Sequence, residues 1–70
     1  MKGLKRCRRA AGISVDGLAV RLGVTRQAVY LWESGERLPA ADKLPEIARV
    51  LGCSIDDLFQ EDNTTEELRP

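Results

Sequence analysis

No histidine occurs in these 70 residues, and cysteine occurs twice. Losing histidine removes the commonest metal ligand and the usual proton shuttle at neutral pH. Cys7 and Cys53 lie far apart, and two thiols do not complete a structural zinc site. No metal or cofactor is therefore expected, and both cysteines read as small apolar side chains. A disulfide between them requires the first and last helices to touch, and a reducing compartment opposes it. The chain also lacks a glycine-rich phosphate loop and a thiol paired with a base, and it is too short to enclose a large cleft. An enzyme is not expected. The neighbouring carboxylates Asp56 and Asp57 read as a helix start. There is no run of about 18 apolar residues, so no membrane span is expected. Residues 1–11 are basic without an apolar centre, which excludes a secretory signal. Together these absences point to the cytoplasm.

Net charge is zero, but it is unevenly distributed. Lys2, Lys5, Arg6, Arg8 and Arg9 crowd the start without an acid among them, while Glu61, Asp62, Glu66 and Glu67 crowd the end against Arg69 alone. The basic head is either a solvated helix face or a field that steers the protein towards a polyanion. After Gln60 the apolar pattern fades. The expected organisation is one domain over residues 1–60 and an acidic, flexible tail over 61–70.

No apolar–polar alternation marks a strand. Helical spacing recurs instead, and five short helices are expected around one core, an all-α fold. Helix 1 runs from about Lys2 to Ala11 with Leu4, Cys7 and Ala11 as its buried stripe. Ser14 caps helix 2, which ends near Leu22, and Gly23 supplies a positive φ for a tight turn. Thr25 caps helix 3, where Val29 and Trp32 face inward and which closes at Gly35. Leu38 anchors the loop that follows. Helix 4 carries Leu44, Ile47, Ala48 and Leu51, with Pro45 tolerated in its first turn and Asp42 as a potential cap. Ser54 and Asp57 resemble a capping box for a short helix 5, and Ile55, Leu58 and Phe59 close the core. With Val50, the stretch 55–59 is also a candidate dimer seam.

Helices 2 and 3, joined by a glycine turn, form a helix-turn-helix that projects helix 3 outward. Arg26 has the fork that reads guanine, and Gln27 has the amide that reads adenine. Read otherwise, Arg26 is a solvated surface arginine. Tyr30 offers its hydroxyl to phosphate or groove, or its ring merely flanks the helix. Thr25, Ser14 and Arg37 are the candidate phosphate contacts.

The segments LKRCRRAAGIS, LAVRLGVTRQAVYLWESGERLP, LPEIARVLG and CSIDDLF, spanning residues 4–59, resemble the Cro/repressor class of helix-turn-helix proteins, the XRE family. The resemblance implies a lambda-repressor-like fold and sequence-specific binding of double-stranded operator DNA. It also implies a homodimer, transcriptional repression, and a bacterial or phage protein working on the nucleoid. It assigns Arg8 and Glu33 to a buried ion pair between helices 1 and 3, a structural role. Three positions depart from the family pattern. Val15 replaces a glutamine that contacts phosphate and braces the reading residues, Glu36 replaces a basic loop residue, and Leu31 replaces a polar one. Glu36 and Leu31, with the neutral charge and the acidic tail, motivate a competing reading as an antitoxin or other protein-interaction module with a toxin or another protein as partner.

Overall fold

The computed structural model describes residues 1–60; the acidic stretch 61–70 lies outside them. Five helices and no strand occur among the described residues: α1 (Lys2–Ala10), α2 (Val15–Leu22), α3 (Arg26–Ser34), α4 (Lys43–Leu51) and α5 (Ile55–Phe59). None is long and apolar enough to cross a membrane.

Local chemistry sets most helix ends. Ser14 and Thr25 both adopt extended backbone, and their hydroxyl oxygens accept from Gly17 N at 2.9 Å and Ala28 N at 3.1 Å. Each thereby satisfies an amide that the first helical turn leaves unpaired. Between α2 and α3, Gly23 adopts φ 70°. Its N–H donates to Val20 O and that of Val24 to Ala19 O, closing α2 with a Schellman motif. A side chain at residue 23 would meet nothing within 4 Å, so glycine is required by the backbone alone.

The core gathers Leu4 of α1, Leu18 and Leu22 of α2, Val29 and Trp32 of α3, Ile47 and Leu51 of α4, and Leu58 of α5. Burying each such side chain contributes about 1.5–3 kcal/mol. Helix α1 packs on α5 and α3, and α2 packs on α3 and α4. Lys43 Nζ donates to Leu22 O at 3.3 Å and pairs with Glu46 at 3.4 Å, tying the start of α4 to the end of α2.

Several expectations are corrected. Leu38 is not the loop anchor: it is 65% exposed, and Pro39 is buried in its place. Proline brings no N–H that must find a partner, so it enters the interior with a smaller polar cost. Ile55 and Phe59 stay 39% and 45% exposed, because these residues lie four apart on a flank of α5 while Leu58 alone reaches the core. Helix α1 ends at Ala10, and Ala11 is exposed. Asp42 precedes α4 in helical backbone and makes no capping bond.

The capping box at α5 is complete. Ser54 N donates to Asp57 Oδ2 at 3.1 Å, and Asp57 N donates to Ser54 Oγ at 3.0 Å. The bond from the Ser54 amide, then that involving its hydroxyl, holds the Asp57 carboxyl below its ordinary value of 3.8. Folding thus favours the ionised form. Its contribution is present above pH 3.8 and is lost as the pH falls through the lower folded-state value. Melting temperature should therefore decline in that acid range, and Asp57→Asn should flatten this part of the decline in thermal melts followed by circular dichroism.

Cys7 and Cys53 are both free and half-buried where α1 meets α5. Burial, then a hydrogen bond with Cys7, pushes the Cys53 thiol up to about 12. A thiol so disposed against deprotonation is a poor nucleophile.

Candidate nucleic-acid interface

The packing of α3 decides which of its residues face outward. Val29 and Trp32 turn inward, which leaves Arg26, Gln27, Tyr30 and Ser34 on the opposite, exposed side. Tyr30 is 54% exposed. Leu31 is half-buried at the edge of this face. The exposed surface thus carries a guanidinium, a carboxamide and a phenol in fewer than two helical turns. These groups suit hydrogen bonding to base edges or phosphates.

The two capping hydroxyls flank this surface at helix starts. In each, a lone pair takes the helical amide, so the O–H remains available to an external acceptor. Arg37 is exposed in the loop beyond α3, next to the exposed acid Glu36. Val15 is half-buried and has no polar atom to offer.

One partnership on this surface has no precursor in the sequence reading. Arg26 Nε lies 3.3 Å from Asp16 Oδ1, so the first turns of α2 and α3 meet. The residues are ten apart in sequence, a spacing without meaning until the turn at Gly23 folds the helices together. The only available signal was that each sits just after a capping hydroxyl, Asp16 two residues after Ser14 and Arg26 one after Thr25.

Arg8 and Glu33 are apart from that surface. Arg8 donates from Nε to Glu33 Oε2 at 2.6 Å, from Nη2 to Oε1 at 3.3 Å, and from Nη1 to Ile13 O at 3.0 Å. The two side chains retain 11% and 8% of their exposure. Neither can reach an external ligand without breaking this bridge between α1 and α3.

Residues 1–60 carry ten lysines and arginines against seven acids, so the neutral total arises from the last ten residues. A groove of about 620 Å³ lies between α1 and the end of α3, lined by Lys2, Lys5, Arg6, Arg9, Glu33 and Ser34. It gives one flank of the molecule a positive field. Among the described residues there is no cluster of potential metal ligands.

A helix-turn-helix family model, HTH_3, matches residues 4–58. The chain is 37% identical over 57 residues to the SPbeta prophage-derived uncharacterized HTH-type transcriptional regulator YonR of Bacillus subtilis, covering 81% of this chain and 53% of that protein. It is 46% identical over 48 residues to the 26 kDa repressor protein of Escherichia phage HK022, covering 63% and 20%. An uncharacterized HTH-type transcriptional regulator of Methanothermobacter thermautotrophicus is 40% identical over 53 residues, covering 74% and 77%. The chain spans about half the length of the two Bacillus subtilis regulators it matches. No solved structure matches it.

Proposed function

The chain belongs to the helix-turn-helix family of DNA-binding transcriptional regulators, not to an enzyme class, and from that premise we propose that it is a sequence-specific repressor whose α3 enters the major groove of operator DNA. The observation that carries this reading is the exposed polar face of Arg26, Gln27 and Tyr30 on a helix whose other side is fixed in the core. Arg26 reads guanine through O6 and N7, Gln27 reads adenine, and Tyr30 contributes its hydroxyl. Thr25, Ser14 and Arg37 hold phosphates and set the register, while Arg8 and Glu33 hold α3 in place.

Residues 1–60 form the binding domain in this reading. Two copies meet through Val50 and the apolar flank left by Ile55 and Phe59, and sit on a two-fold operator. Repression follows from occupying DNA that polymerase needs, and the place of action is the cytoplasmic nucleoid of a bacterium or the genome of a phage.

The test is selection of bound sequences from a random duplex library at two salt concentrations. The expected product is a palindromic motif bound more weakly at the higher salt, because phosphate contacts release counterions. Arg26→Ala should lose about 1–3 kcal/mol of discrimination at one base pair of each half-site while melting like the parent. A protein that binds no duplex at low salt and co-purifies with a protein partner would instead support an interaction module. The exposed Leu38 and the acid Glu36 favour that second reading.

A further inference from the structure

The ion pair between Asp16 and Arg26 lies in the open, with 66% and 63% of the side chains exposed. Its closest approach is from Arg26 Nε, 3.3 Å from Asp16 Oδ1. The opposite end carries Nη1 and Nη2, whose parallel outward N–H groups match two acceptors side by side, as on the edge of guanine. A carboxylate near the guanidinium therefore biases where the arginine rests.

We infer that Asp16 is a positioning residue that sets base selectivity through Arg26. The inference rests on the DNA-reading role given to α3 above. Two physical effects support it. First, a long flexible side chain held near a carboxylate has fewer orientations to lose when it meets a base, which favours binding in one geometry. Second, the carboxylate offsets the charge of Arg26. An unpaired arginine gains from any nearby phosphate, whatever the sequence. A paired one gains less from phosphate, and its full gain comes only where two base acceptors face Nη1 and Nη2. Asp16 thus trades generic attraction for discrimination, which is how a repulsive element contributes to specificity. An acid on a surface meant for a polyanion is unfavourable for affinity alone, and this division of labour accounts for it.

The experiment is a double-mutant cycle on the intact chain. The selected duplex and its variants at the Arg26-dependent base pair are titrated by fluorescence anisotropy with the parent, Asp16→Asn, Asp16→Glu, Arg26→Ala and the Asp16→Asn/Arg26→Ala double variant. Asp16→Asn should reduce discrimination at that base pair by about two- to fivefold, the scale of an exposed ion pair, and should raise affinity for non-cognate duplex. Asp16→Glu should restore discrimination. In the Arg26→Ala background, Asp16→Asn should leave base preference unchanged. Melting temperatures separate these effects from folding, and if Asp16→Asn melts low, comparison of the parent with Asp16→Glu against Asp16→Ala carries the same test. Equal discrimination by the parent and Asp16→Asn overturns the inference and leaves the DNA reading intact, as does an effect of Asp16→Asn that persists without Arg26. A parent protein with no base preference overturns both.

Discussion

Glu33→Ala should bring the domain close to its unfolding midpoint at 25 °C, with about half of the molecules unfolded. The substitution removes the bidentate partner of Arg8 and leaves a guanidinium beneath the surface with Ile13 O as its remaining acceptor. Breaking a buried pair from one side costs about 3–5 kcal/mol. A core of this size supplies about 3–5 kcal/mol of net stability, so the loss is comparable with the whole. The cost largely disappears when both charges go. Arg8→Met with Glu33→Leu fills the same space without a charge to desolvate, although Ile13 O loses its donor, and should fold about as well as the parent. Urea titrations of the three proteins, followed by far-ultraviolet circular dichroism, check both halves. A Glu33→Ala protein with the parent's midpoint would show that the bridge holds nothing together. DNA binding by the apolar double variant at parental affinity would assign the pair to architecture alone.

Gly3→Ala should destabilise, against the usual direction for this substitution inside a helix. Alanine is ordinarily better than glycine there by about 0.5–1 kcal/mol. Here the helix is crossed too closely for any side chain. A Cβ on residue 3 would stand 2.7 Å from Leu58 O and 2.8 Å from Gln60 O, and closer still to Asp57 O. These are backbone atoms at the end of α5, so relief requires α5 to move away from α1. Overpacking of this kind costs about 1–3 kcal/mol, and occasionally more. The net effect should be a lower midpoint in the same urea titration, together with faster amide exchange in α5. A midpoint at or above the parent's would mean that α5 shifts at no cost.

What the chain discloses before folding is what its chemistry settles within a few residues. Ser14, Thr25 and Ser54 are legible as caps because each needs only an amide three residues away. Gly23 is legible as a turn because one backbone angle decides it. The outward side of α3 follows from the interval between Val29 and Trp32. What the sequence does not disclose depends on distant partners. Gly3 resembles any weak helix residue until α5 arrives beside it. Leu38 is apolar enough to be an anchor, and only the path of the loop decides that Pro39 goes inside. The apolar pattern of α5 does not say that Leu58 would be buried while Ile55 and Phe59 were left at the edge. Asp16 carries little mark of its partner beyond its place after a cap, since the pairing is created by the turn between two helices rather than by either.

The most extensive helix contact joins α1 to α5, the first and last helices described. On a ribosome, the two halves of this interface are therefore made more than 40 residues apart. Chain elongation at about 5–20 residues per second puts a delay on the order of seconds between them. Until α5 emerges, the carbonyls that close over Gly3 do not yet exist, and Leu4 has lost one wall of its burial site. A nascent fragment stalled before residue 55 should therefore remain open to proteases and chaperones, and completion of this domain's fold waits for α5.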